Sequence, residues 1–151
     1  MIINAEHEVI GRIATRAAKS ALLGENIDIV NCEKAVITGN KKSIIKAYKE
    51  KLQRGDMLKG PHHEKRPDKF VRKMIRGMLP YKQAKGKEAY KRIYCYIGIP
   101  DKFKEKEFKS IDVADVSKTH NLKYLTIGQI CKQMGWKGWK QYIIQEKEKP
   151  Q

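Results

Sequence analysis

The chain has 151 residues, with 33 Lys and Arg against 17 Asp and Glu and a net charge of +16. That length houses one domain with a moderate core rather than two, and the charge directs attention to a polyanionic partner. No run approaches the roughly 18 apolar residues of a membrane span and the N-terminus lacks a signal-peptide layout, so a soluble intracellular protein without a membrane partner is expected.

Residues 1–4 form a short apolar opening, read as a strand. Val9, Ile10, Ile13, Ala17, Ala21 and Leu22 then recur at helical spacing up to Gly24, which suits the position just past a helix end. Residues 27–30 (IDIV) read as a second strand, closed by Asn31. Strand, helix and strand make a parallel βαβ unit with a right-handed crossover. The unit is not a dinucleotide site: GxGxxG is missing and no acidic residue ends the second strand. Gly11, Ala14 and Ala18 therefore read as close helix-to-sheet packing. Residues 38–43 (TGNKKS) lack the GxxxxGK[ST] spacing, although Gly39 and the basic pair suit a phosphate at a helix start.

Residues 36–38 suit a short strand or strand extension, and a helix is expected from Asn40 through Ile44, Ile45, Tyr48 and Leu52, with Lys42, Lys46, Lys49 and Lys51 outward. Residues 54–66 (RGDMLKGPHHEKR) show no apolar period and combine Gly55, Gly60 and Pro61 with Arg54, Lys59, Lys65, Arg66, His62 and His63. A loop of this length in a small domain is functional or mobile.

Residues 67–80 (PDKFVRKMIRGMLP) write a helix with two faces. At about 100° per residue, Phe70, Val71, Met74, Ile75 and Met78 share an apolar arc of roughly 140°. Lys69, Arg72, Lys73 and Arg76 fall in an opposite arc of roughly 100°. Four like charges at this spacing repel, and no acidic residue interleaves, so a partner outside the chain is the better explanation than an ordinary solvated face. Pro67 marks the start, and Gly77 and Pro80 the stop.

Residues 81–87 form a basic connection with Lys82, Lys85 and Lys87, leading to a short helix at 88–92 and a strand at 93–97 (IYCYI), expected to be the last of the sheet. From residue 41 to 92 there are 18 basic and 5 acidic residues, a net of +13, so the field is concentrated in the middle third. Residues 101–109 mix both signs of charge and read as irregular surface. A helix follows at 126–134, with Thr126 and Gln129 as a capping box, Leu125 and Ile130 as a hydrophobic staple and Gly135 as the stop. Trp136, Trp139 and Tyr142 are expected to pack this tail onto the domain, and only the last few residues to be disordered.

The parts of an enzyme are missing from this pattern. His7, His62, His63 and His120 make no metal-ligand spacing, and Glu50, Asp56, Glu64, Asp68 and Glu88 are scattered without a paired motif. Cys32, Cys95 and Cys131 are odd in number and in no CxxC pair, so they are expected to be buried, reduced thiols. No catalytic residue, cofactor, metal or small-molecule substrate is expected.

The RGMLP run at 76–80, the basic helix before it and Gly98-Ile99-Pro100 after the last strand resemble the ribosomal protein L13 family of the large subunit. Similar to that family as well are Gly11-Arg12-Ile13-Ala14, Val30-Asn31-Cys32-Glu33-Lys34, Thr38-Gly39-Asn40, Gly60-Pro61-His62-His63 and Lys85-Gly86. The GIP ending and the GPHH loop look like the archaeal and eukaryotic branch. Asn4 stands where an Asp is common, Lys65-Arg66-Pro67 replaces an Arg, a small residue and Pro, and the match is poor beyond Pro100.

The resemblance implies an α/β fold in three α/β/α layers around a four-stranded parallel sheet, to which the residues themselves add basic loops and a C-terminal helical tail. Length gives one domain over 1–151, and the reach of the resemblance divides it into a core at 1–100 and an extension at 101–151. The resemblance further implies a cytoplasmic, structural component of the large ribosomal subunit that binds its ribosomal RNA beside neighbouring ribosomal proteins. The residues expected to touch RNA are Arg54, Lys59, His62, His63, Lys65, Arg66, Lys69, Arg72, Lys73, Arg76, Lys82, Lys85 and Lys87. Arg66, Arg72 and Arg76 suit bidentate phosphate contacts and the lysines act as point charges. His62 and His63 suit base stacking or hydrogen bonding, and equally an ordinary surface-loop role. A free regulatory RNA-binding protein would share every one of these basic features.

Overall fold

The computed structural model describes residues 1–56, 58–111, 113–119 and 123–138. β1 (Ile2–Asn4), α1 (Ile10–Leu22) and β2 (Ile27–Val30) form the expected βαβ unit, with β1 and β2 parallel and Ile2 opposite Asp28. Ile3, Ile27 and Ile29 are fully buried, as are Ile13, Ala14, Ala17 and Ala21 on the facing stripe of α1. Methyl side chains on that stripe let the helix lie close to its neighbours, which is why the sequence carries alanines there instead of a phosphate-binding glycine pattern. β4 (Ile93–Cys95) joins the other side of β2, also parallel, with Ile27 opposite Ile93.

This sheet has three strands in the order β1-β2-β4, where four were expected. β3 (Val36–Thr38) leaves it and pairs antiparallel with β5 (Tyr124–Thr126), Val36 lying opposite Thr126. The divergence begins at Asn31, whose backbone turns left-handed at φ +56 before a 3-10 turn at Cys32–Lys34. Asn tolerates that conformation better than most residues, and the turn aims the following segment away from the sheet. β5 was not foreseen, so the strand at 93–95 is the last of the parallel sheet but not of the chain. Three residues (YLT) running straight into a helix cap carry too little alternation to read as a strand.

α2 (Lys41–Gln53) opens on Asn40, whose side chain accepts from the Lys42 N–H at 3.0 Å. Its apolar residues Ile44, Ile45, Tyr48 and Leu52 are only half-buried, packed against the edge of the core. α3 (Pro67–Gly77) and α4 (Ala84–Lys91) both touch α1, and α3 also touches β4. α4 begins at Ala84, taking up part of the expected basic connection. α5 (Ile127–Gln133) has the expected capping box, with both the Thr126 and the Gln129 arm formed, and Leu125 and Ile130 are buried.

Several described residues after position 100 are tied into the core. A 3-10 turn at Asp101–Phe103 buries Phe103 edge-on to Tyr96, and Lys109 lies beside β1, its N–H donating to the Ile2 carbonyl at 2.9 Å. Residues 101–109 are thus partly anchored rather than irregular throughout. Trp136 is half-buried against the core, whereas Trp139, Tyr142 and the last residues lie outside the described ones. Among the described residues no helix is long and apolar enough to cross a membrane.

The three cysteines are free thiols: Cys32 and Cys131 are buried, and Cys95 is half-buried rather than fully so. Burial pushes the Cys131 thiol up to about 12, and desolvation with the neighbouring Cys95 holds Cys32 well above its ordinary value. A raised folded-state pKa means that this contribution to stability is complete below the ordinary thiol value of 9.0 and is lost as pH climbs towards about 12. Urea midpoints should therefore decline across that window, less so in Cys131→Ser once its lower baseline is subtracted. At pH 8 a thiol reagent should label Cys95 well ahead of the other two.

Candidate nucleic-acid interface

α3 organises the basic surface. Pro67 occupies its first turn, where the missing N–H costs nothing, and Asp68 places a carboxylate at the positive end of the helix dipole. Phe70, Val71 and Ile75 are buried, and Met74 is half-buried on the same side. Met78, placed by helical periodicity on the core arc, is instead 42% exposed, because the helix ends at Gly77 and the periodicity no longer applies. Its Sδ accepts from the Thr15 hydroxyl at 3.5 Å.

The four cations do not all face solvent. Lys69 is exposed, but Arg72, Lys73 and Arg76 are half-buried and engaged. Lys73 Nζ donates to the His62 carbonyl at 2.9 Å, which seats the 54–66 segment on α3. The Arg76 guanidinium lies 5.1 Å from the Tyr81 ring centre, and that of Arg72 lies 4.5 Å from the Tyr90 ring centre. Arg72 Nη2 also donates to the Tyr90 carbonyl at 3.4 Å. Both flanking basic segments are therefore docked on one helix, through contacts that a helical wheel does not contain.

Arg66 is exposed, yet its fork is taken by Asp68, with Nε–Oδ1 at 3.2 Å and Nη2–Oδ2 at 2.9 Å. An exposed pair of this kind is worth about 0–1 kcal/mol, small enough for an incoming phosphate to compete. The neighbouring loop closes on itself where the Gly60 N–H donates to the Asp56 carbonyl at 2.8 Å. A Cβ on Gly55 would sit 2.1 Å from the Gly60 oxygen, at a φ of +93°, so glycine is required there. A cleft of about 360 Å³ follows, lined by Arg54, Asp56, Pro61, His62, His63 and Lys65. It brings four of the expected contact residues together; Lys59 is exposed outside it.

Lys82, Lys85 and Lys87 are exposed along the segment that carries α4. What fixes this segment is Gly86, where an added Cβ would fall 2.2 Å from the Pro80 carbonyl oxygen. Gly86→Ala should force α4 away from the end of α3 and cost about 1–3 kcal/mol, read from the shift in urea midpoint at constant m.

Sequence reasoning missed two features. Tyr81, Tyr90 and Tyr94 interleave with the arginines, and only their aromatic enrichment within a basic stretch hinted at it. Arg12, Arg16 and Lys19, spaced i, i+4, i+7 on the exposed side of α1, rim a second cleft of about 560 Å³ with Lys109. The missed signal there was charge periodicity, overshadowed by the alanine stripe. Among the described residues no group of three or more His, Cys, Asp or Glu side chains is placed to hold a metal ion.

Fold and surface together define a basic α/β protein whose cations are positioned by rings and main-chain carbonyls. The family model described as Ribosomal protein L13 matches residues 1–102. Large ribosomal subunit protein uL13 of Methanopyrus kandleri is 43% identical over 137 residues, 89% of this chain and 86% of the relative. The protein of the same name from Archaeoglobus fulgidus is 39% identical over 140 residues, 91% and 88% of the two chains. That of Methanococcus maripaludis is 42% identical over 141 residues, 91% and 98%. The chain belongs to the ribosomal protein L13 family, and these relatives are archaeal and named as ribosomal proteins rather than enzymes.

Proposed function

We propose that the chain is a structural constituent of the large ribosomal subunit in the cytoplasm, where it binds and braces the large-subunit ribosomal RNA beside neighbouring ribosomal proteins and contributes to subunit assembly and translation. The observation that carries this reading is the docking of residues 54–66 and 81–91 on α3 through Lys73, Arg76 and Arg72. Three cationic segments gathered on one helix, 54–66 by the Lys73–His62 bond, suit folded RNA, which presents phosphates from several strands at once. Arg54, Lys59, Lys65, Lys69, Lys82, Lys85 and Lys87 supply exposed charge to phosphates. Arg66 exchanges Asp68 for a phosphate, and His62 and His63 line the cleft where a base or sugar can enter. Arg72, Lys73 and Arg76 both contact RNA and tie the flanking segments to α3.

Sedimentation tests the reading. The native protein should stay with large subunits through a high-salt sucrose gradient, and recovery only at the top of the gradient would overturn it. A second expectation concerns the 54–66 segment. With few apolar anchors, it cannot offset roughly 1–2 kcal/mol of backbone entropy per residue by burial. Its amides should exchange quickly in the free protein, apart from Arg54 and Gly60, and become protected on RNA. The amides of β2 should be protected in both states. Protection of the whole segment before RNA is added would show that the domain alone orders it.

A further inference from the structure

We propose that Tyr94, Arg72, Tyr90, Tyr81 and Arg76 form a stacking platform that takes an unstacked RNA base at its Tyr94 end, an inference that rests on the RNA-binding reading and adds a recognition mode to it. The five side chains make one connected row. Arg72 lies over Tyr90 at 4.5 Å and reaches Tyr94 at 6.0 Å, Tyr90 meets Tyr81 edge-on at 5.5 Å, and Arg76 covers Tyr81 at 5.1 Å. Internal packing accounts for the middle of the row, where Tyr90 is half-buried and Arg72 donates to its carbonyl. It does not account for the ends: Tyr94 is 49% exposed and Tyr81 40% exposed.

Tyr94 is the middle residue of β4, between buried Ile93 and half-buried Cys95, so strand alternation turns its ring to the opposite face of the sheet. An aromatic ring held rigid by a strand and polarised by a neighbouring guanidinium is suited to a base, because every base offers a π-face and loses little by leaving water. Asp28 is the register partner of Tyr94 on β2, and partners on adjacent strands share a face, so a carboxylate stands beside the ring. That carboxylate accepts from an exocyclic amino group, which favours adenine or cytosine over uracil, while the Lys102 ammonium that faces both Asp28 and Tyr94 offsets its charge. Arg72 also keeps its Nε buried without a hydrogen-bond partner, which fits a guanidinium held for its planar face rather than for a full set of donors.

The test compares strands of equal charge. The full chain is titrated at low salt with oligoadenylate, oligouridylate and an abasic sugar–phosphate strand, each of roughly twelve nucleotides. Oligoadenylate should bind about 5- to 150-fold more tightly than the abasic strand, the range expected for one stacked base, and more tightly than oligouridylate. Tyr94→Ala should lower that preference to the share that His62 and His63 supply without changing the slope of log affinity against log salt, while Tyr94→Phe keeps it in full. Asp28→Asn should narrow the gap between oligoadenylate and oligouridylate. Equal, salt-dependent binding of all three strands by the unaltered chain would overturn the platform and leave the phosphate reading standing. Failure to bind any strand, together with failure to bind large-subunit RNA, would overturn both. If Tyr94→Ala does not fold, quenching of tyrosine fluorescence by oligoadenylate but not by the abasic strand, seen in the unaltered chain and lost in Tyr94→Phe, supports the platform, and quenching that persists in Tyr94→Phe would overturn it.

Discussion

Affinity for large-subunit ribosomal RNA should fall by about 10³- to 10⁵-fold between 50 and 200 mM monovalent salt. The expectation follows from counterion release when roughly 6 to 10 phosphates are neutralised, with the duplex relation as the guide. Seven of the exposed cations along the 54–66 segment, α3 and the α4 segment (Arg54, Lys59, Lys65, Lys69, Lys82, Lys85 and Lys87) supply that number without calling on the half-buried ones. Filter binding or fluorescence anisotropy across a salt series gives the slope directly. A binding constant that does not move with salt would show that the charge of the middle third is spent elsewhere. Replacing one exposed lysine, such as Lys59→Ala, should reduce the slope by about one and weaken binding to all RNA sequences alike.

The second large effect separates the two sides of α3. Ile75→Ala should destabilise the protein by about 2–5 kcal/mol, because Ile75 is fully buried and removal leaves a cavity that the surrounding helices cannot fill. Lys69→Glu should change stability by no more than about 0.5 kcal/mol while weakening RNA binding, since Lys69 is exposed. Arg72→Glu should do both: it removes a cation from the RNA side and presses a carboxylate against the Tyr90 and Tyr94 rings. Denaturant unfolding and RNA titration on the same three variants test the division. Unchanged stability in Ile75→Ala, or unfolding of Lys69→Glu, would show that the faces are assigned wrongly.

The three outcomes differ because helical periodicity reports direction and not distance. A wheel places Lys69 and Arg72 on one polar arc, yet Lys69 meets solvent and Arg72 meets α4 and β4. The same limit misplaced Met78, where the helix had already ended. Arg66 shows a related gap: charge counting offers its fork to RNA, but Asp68, two residues on, occupies it in the free chain.

Local chemistry determined a good deal by itself. The helical period of α1, the Asn40 cap, the Thr126–Gln129 capping box, the limits of α3 and the concentration of charge in residues 41–92 all depend on residues close in sequence. Only the tertiary structure decided that β3 leaves the parallel sheet to pair with β5 some ninety residues later. It alone decided that Lys73 reaches the His62 carbonyl, and that Tyr81, Tyr90 and Tyr94 line up with Arg72 and Arg76. The physical reason is common to these cases. Caps, periodicity and charge density are short-range properties that a chain expresses wherever it lies, whereas strand pairing, cation–ring contacts and close approaches such as Gly86 against Pro80 exist only once packing brings separate segments within a few ångströms.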